Sequence, residues 1–148
     1  MRYLRIYFLS IFLFMILSCS KNGSTDIETI VSYLEENNIS YKDTLGVFIH
    51  FDRQGSDLYP NANSKVEIAY TATYLDGEVF DRSTEGTFVL LSLREAIPGL
   101  QEGMKAVPKD AQVVIYIPSS LGFGSNPVFG VRKNAILVYQ IYVKDILN

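Results

Sequence analysis

The sequence predicts an α+β fold, an antiparallel sheet carrying one short helix after its middle strands. Three observations lead there. From Val66 onward, apolar and polar residues alternate in several runs of strand length. One stretch, 96–107, changes to helical spacing. Aromatic residues make up 13% of the chain, all Tyr and Phe, and both favour strands.

The elements follow in order. Residues 26–38 (DIETIVSYLEENN) place Ile27, Ile30, Val31 and Leu34 at i, i+3, i+4, i+7, the stripe of an amphipathic helix. Asp26 is the expected N-cap, Glu28 an acid in the first turn, and Asn37-Asn38 the stop. Residues 45–51 (LGVFIHF) read as a strand and 52–64 as a turn-rich connection. In 66–74 (VEIAYTATY), Val66, Ile68, Tyr70, Ala72 and Tyr74 share one face, and Asp76-Gly77 supplies a hairpin turn. Residues 87–93 and 111–118 are strands. Between them, 96–107 spaces Leu100, Met104 and Val107 as a helix does, with Pro98 in the first turn, where proline is tolerated. Residues 119–134 form a loop rich in Gly, Ser, Asn and Pro, and 135–147 a long last strand with Leu137, Tyr139, Ile141 and Val143 on one face.

Composition removes several function classes. The sequence pI is about 5.1 and no basic stretch lies outside the N-terminus, so the positive footprint of a nucleic-acid binder is missing. One Cys and one His exclude an internal disulfide and a Cys/His zinc site. His50 has no partners suggesting a catalytic triad and reads as a satisfied side chain in an alternating strand. GFGSNP, 122–127, begins like a dinucleotide fingerprint, but Pro127 stands where the third glycine belongs. Asp76, Asp81 and Glu85 do not have calcium-loop spacing. No metal and no cofactor are expected.

The N-terminus reads as an address. Arg2 and Arg5 precede an apolar run, Ile6 to Leu17, shorter than the ~20 residues of a membrane-crossing helix. Small residues, Ser18-Cys19-Ser20, end it. Ile16-Leu17-Ser18-Cys19 resembles a bacterial lipobox, with Leu17 a less usual residue at its position. That resemblance implies a signal peptide over 1–18, a lipid on Cys19 and a tether over 19–25. It also implies an exported protein anchored to the cell envelope, with the outer membrane facing the periplasm as the expected site. Losing Arg2 and Arg5 would take the net charge from −3 to −5.

One stretch resists a simple strand reading. In LDGEVFDRS, 75–83, an aromatic (Phe80) and an acid (Asp81) are neighbours just past a hairpin turn, and strand neighbours point to opposite faces. Four blocks give it a context: VEIAYTATYLDGEVFD (66–81), AIPGLQEGMKAV (96–107), YIPSSLGFGSN (116–126) and NAILVYQIYVKDIL (134–147). In order and spacing they resemble the FKBP-type peptidyl-prolyl cis-trans isomerase family, over the C-terminal part of the chain. With the lipoprotein-like start, the whole resembles the FKBP-type lipoproteins of Bacteroidetes, including the gliding-motility-associated group.

The resemblance implies a curved antiparallel sheet wrapped around the 98–106 helix. It implies an isomerase domain over 65–148 and an N-terminal helix-and-strand extension over 26–64. Between helix and sheet it implies an apolar pocket for the proline ring of proline-containing polypeptides. Tyr70, Phe80, Asp81, Phe123 and Tyr139 would be its catalytic residues. Phe88, Ala96, Ile97, Leu100 and Val131 would bind substrate, with Phe129 at the rim. The implied activity is prolyl isomerisation assisting the folding of exported proteins; the alternative is a non-catalytic module that holds a partner in an envelope assembly. Leu100 stands where the family usually has Trp, and Phe123 where Tyr is usual. Arg132-Lys133 replace a proline pair, which predicts a less stiff, more basic loop. Tyr139 adds a hydroxyl where Phe is common. Lower activity than a typical member is therefore expected.

Overall fold

A computed structural model describes residues 25–128 and 130–148. The expected signal peptide, lipobox Cys19, most of the tether and rim residue Phe129 lie outside those residues.

Among the described residues, two α-helices and a curved seven-stranded antiparallel sheet make up the fold. In chain order they are α1 (Asp26–Glu36), β1 (Lys42–Thr44), β2 (Val47–Arg53), β3 (Lys65–Tyr74), β4 (Val79–Arg82), β5 (Val89–Ser92), α2 (Pro98–Met104), β6 (Gln112–Ile117) and β7 (Leu137–Leu147). The strands run β1-β2-β6-β7-β3-β4 across the sheet. β5 also pairs with β3, so two short strands share one edge: β4 lies along Thr71–Thr73 and β5 along Lys65–Ile68. β2, from the N-terminal part of the chain, is therefore an interior strand, held between β1 and β6.

Strand alternation divides the sheet into two apolar faces. Val47 and Ile49 of β2, Ile115 and Ile117 of β6, Leu137, Tyr139 and Ile141 of β7, and Val66, Ile68 and Ala72 of β3 point inward onto α2. Leu100 and Met104 meet them from the helix. Phe48, Tyr116 and Val138 point outward and are covered by Ile30 and Leu34 of α1. Both α1 residues have no exposed surface.

α1 starts one residue earlier in function than its spacing suggests. Thr25 is the N-cap: its hydroxyl accepts from the Glu28 N–H, and the Glu28 carboxylate accepts from the Thr25 N–H, a capping box. Asp26, the expected cap, is instead a first-turn residue whose carboxylate turns to Ser119. Asn37 ends the helix and Asn38 takes a left-handed φ of 55°, as expected for the stop.

α2 is shorter than the 96–107 spacing, because Ala96 and Ile97 are extended and Pro98 opens the helix. It lies close on the sheet: a Cβ at Gly99 would stand 2.3 Å from Ile117 Cγ2. The strand expected over 87–93 shortens to Val89–Ser92 and leads into a 3-10 turn at Leu93–Glu95. His50 is satisfied, with Nδ1 donating to the Ser40 carbonyl at 2.6 Å and Nε2 3.4 Å from Asp52.

Candidate active site

The Phe80-Asp81 problem is solved by a bulge. Asp81 pairs with Ala72 and Val79 pairs with Thr73, which leaves Phe80 as an extra residue in β4. A bulge sets two residues against one and re-aims a side chain. Phe80 therefore packs on the inner cluster, beside an Asp81 whose partner Ala72 also faces inward.

Five side chains converge there. The Phe80 ring stands edge-on to Tyr139 at 6.1 Å and to Phe123 at 6.5 Å. Tyr70 and Tyr139 rings lie 6.1 Å apart. The Tyr70 hydroxyl donates to Asp81 Oδ2 at 2.8 Å, while Asp81 Oδ1 accepts its neighbour's N–H, Arg82, at 2.9 Å. The acid is thus fixed at the lip of an aromatic cup. Leu100 and Tyr139 are buried at its base, each 6% exposed. Tyr70, Phe80, Ala96, Ile97, Phe123 and Val131 pack on the core with one side open. A row of half-buried apolar residues around a buried floor is how a binding pocket is built.

Burial, then the hydrogen bond to Asp81, then the Asp81 charge push the Tyr70 hydroxyl up to about 12. Burial, helped by the Asp81 charge, pushes Tyr139 up as well. Both phenols are neutral donors at any physiological pH.

Phe88 is not part of this cup. Val89 pairs with Ile68 and Leu91 with Val66, two inward residues, so Phe88 and Leu90 point outward. The Phe88 ring lies 6.1 Å from Tyr142 on the outer face and is 43% exposed. On that outer face, a polar groove of about 650 Å³ opens among Thr71, Arg82, Gln112, Gln140 and Tyr142. Its polar walls do not suit a proline ring.

Two residues that the sequence reading did not place in the site support it. Tyr74 stacks on Phe80 at 4.9 Å. Arg132 lies over Tyr74 in that stack, with its guanidinium 4.2 Å from the Tyr74 centroid and its backbone N–H donating to the Tyr74 hydroxyl at 2.9 Å. The same guanidinium pairs with Asp76 at 2.5 Å and with Glu78. Four contacts of Arg132 thus tie the loop to the β3–β4 hairpin. Tyr74 was visible as the last member of the inward stripe. Arg132 carried no local signal, since its acids lie more than fifty residues away.

The arrangement offers no aligned nucleophile and base. It offers an aromatic cup with the neutral Tyr139 phenol at its base and one carboxylate, fixed by the neutral Tyr70 phenol, at its lip, which suits binding and reshaping a neutral group. The family model for FKBP-type peptidyl-prolyl cis-trans isomerase matches residues 57–144. The FKBP-type isomerase FkpA of Buchnera aphidicola subsp. Schizaphis graminum is 31% identical over 109 residues, 72% of this chain. This chain spans 43% of that relative's length. The crystal structure of FkpA from Escherichia coli superposes with a TM-score of 0.73 at 27% identity, covering 82% of this chain and 57% of that one. A prolyl isomerase structure from Pseudomonas syringae pv. tomato shares the fold, with a TM-score of 0.72 at 21% identity, over 83% of this chain and 94% of its own. On the match across 57–144 and the cup those residues build, the chain belongs to the FKBP-type peptidyl-prolyl cis-trans isomerase family.

Proposed function

We propose that this protein is a membrane-tethered peptidyl-prolyl cis-trans isomerase that acts on exported polypeptides. The observation that carries the reading is the aromatic cup of Phe80, Phe123 and Tyr139, with Asp81 pinned at its lip by Tyr70.

Rotation about an X-Pro bond faces a barrier of about 18–20 kcal/mol, set by amide resonance. No covalent bond to substrate has to form. The catalyst must bind the twisted amide better than the planar one. A twisted amide separates less charge, so an apolar, water-poor cup tolerates it better than it tolerates the planar form. In this reading the proline ring sits on Leu100 between Phe80, Ile97 and Phe123. Asp81 lies beside the carbonyl that precedes the proline. Phe123 lacks a hydroxyl for the substrate, a loss of about 0.5–1.5 kcal/mol per hydrogen bond, so turnover is modest.

The N-terminal sequence is what supports the tether. A charged start, a short apolar run and a Cys at its end support a lipid on Cys19 and an outer-membrane anchor facing the periplasm. Attached acyl chains bind a bilayer at about 0.8 kcal/mol per buried methylene. The same start, followed by α1 before the matched family segment, supports placement among lipoproteins like the gliding-motility-associated group.

Cis–trans exchange of a prolyl peptide, followed by NMR with the purified chain, tests the activity. Exchange should rise with wild type and fall with Asp81→Val and Phe80→Ala. A folded wild type that leaves exchange unchanged overturns catalysis and makes the cup a docking site in an envelope assembly. Labelled fatty acid should enter the wild type in bacteria and not Cys19→Ala; labelling of neither removes the lipid.

A further inference from the structure

We propose that Asp26, at the start of α1, is a positioning residue for the active-site loop, acting through Ser119 on Phe123. The inference rests on the isomerase reading above. It starts from a contact across the sheet. α1 covers the outer face, whereas the aromatic cup opens on the inner face. The first residue of α1 nevertheless reaches the turn after β6, where the loop toward Phe123 begins.

The contact is a hub. Asp26 Oδ2 accepts from the Ser119 N–H at 2.8 Å and also from the Ser119 hydroxyl. The Ser119 carbonyl accepts from the Gly122 N–H at 3.1 Å and the Gly124 N–H at 3.0 Å. The Gly124 carbonyl accepts in turn from the Asn134 N–H at 2.8 Å, just before β7. Phe123 lies between the two glycines whose amides converge on Ser119. Every polar group of Ser119 is therefore committed, its two donors to Asp26 and its acceptor to the turn carrying Phe123.

Asp26 is suited to hold such a hub. Thr25 and Glu28 form the capping box between themselves, and the Asp26 carboxylate, which takes no part in it, faces Ser119. A carboxylate in the first turn of an 11-residue helix is favoured by the helix dipole. Hydrogen bonds to an ionised acceptor are roughly twice as strong as neutral ones. The segment matched by the family model begins at residue 57, so the anchor lies outside it, in the N-terminal extension. The orientation of a pocket wall thus depends on a helix that touches no substrate.

The test uses the full chain, purified in detergent, with Asp26→Asn, Asp26→Ala, Ser119→Ala, Ser119→Thr and a control, Ile30→Val. Ile30→Val loosens α1 packing and leaves Asp26 in place. Isomerase kcat and KM, the thermal midpoint, and the amide NMR shifts of Gly122, Phe123 and Gly124 are measured. Asp26→Ala should lower kcat about tenfold, more than it raises KM, because misplaced catalytic groups cost rate. Asp26→Asn should lie between Ala and wild type, and Ser119→Thr should stay near wild type. The three loop amides should shift in Asp26→Ala and Ser119→Ala, and hold still in Ile30→Val. Wild-type kcat with unshifted loop amides in Asp26→Ala overturns the proposal. So does an equal fall in kcat in Ile30→Val, which would trace the effect to global stability. Should Asp26→Ala fail to fold, Ser119→Ala decides by the same readouts. A folded but inactive wild type overturns the isomerase reading alone, and the loop amides then still decide whether Asp26 positions this loop.

Discussion

Phe80 and Asp81 show how far a residue's neighbours decide its role. Strict alternation would put one of them in solvent, and nothing in LDGEVFDRS announces a bulge. The family pattern in the surrounding blocks placed both residues at the pocket, and the bulge at Phe80 gives the physical means. The same family pattern misplaced Phe88, because the register of a short edge strand is set by its partner β3 and not by its own sequence. Tyr70 carries a prediction at this scale. Its hydroxyl is held up to about 12, from an ordinary 10, first by burial and then by Asp81. A folded value above the unfolded one favours the neutral phenol. The stabilisation it brings is fully present below pH 10 and is lost as pH rises through about 12. Activity should therefore show no inflection from Tyr70 between neutrality and pH 10. Tyrosinate absorbance should show this phenol ionising after the exposed ones. In Asp81→Asn, which removes the carboxylate charge, its titration should move down toward the ordinary range. An unmoved titration would mean that Asp81 does not hold the phenol neutral.

Elements were legible where a periodic stripe was long, and blurred where a partner set the limits. β3 and β7 were readable almost end to end because each buries one continuous face. β4 had no separate signal, being four residues on an edge. α2 is the instructive case. Leu100 and Met104 gave its period, but Gly99 and Gly103 lower helix propensity and argue against a stable helix. Packing explains them. A Cβ at Gly99 would meet Ile117 Cγ2 at 2.3 Å and the Leu121 carbonyl at 3.1 Å, and one at Gly103 would meet Val47 at 3.2 Å. The glycines let the helix lie against β2 and β6 and so set the depth of the cup floor. Gly99→Ala brings opposing terms: about 1 kcal/mol gained in helix propensity against about 1–3 kcal/mol of overpacking. Ile117 has no exposed surface and little room to yield, so overpacking should win. A lower urea midpoint at unchanged slope is the expected result. A raised midpoint would show that α2 can move away from the sheet at no cost.

At the scale of the whole molecule, the question is whether the N-terminal extension is an appendage. From sequence it divides from the rest at about residue 64, and the family match begins at 57, after β2 has ended. The sheet joins what that division separates. β2 pairs with β6 from Phe48 to Arg53, contributes Val47 and Ile49 to the inner core, and turns Phe48 outward to α1. Ile30, Leu34, Val47 and Ile49 have no exposed surface and Phe48 has 2%. Burying an aliphatic or aromatic side chain of this size contributes about 1.5–3 kcal/mol. Five of them together supply roughly 10 kcal/mol, as much as the whole net stability of an ordinary domain. A fragment starting at residue 57 would also leave β6 as a bare edge, with Tyr116 and Val138 uncovered. Such edges invite association between chains. The fragment 57–148 should therefore show no cooperative thermal transition and poor amide dispersion, and should aggregate at concentrations where the full chain stays monodisperse in detergent. A cooperative melt with a dispersed spectrum would make α1, β1 and β2 separable additions. In that event the pocket would be a property of the matched segment alone, and the isomerase activity of the fragment should equal that of the full chain.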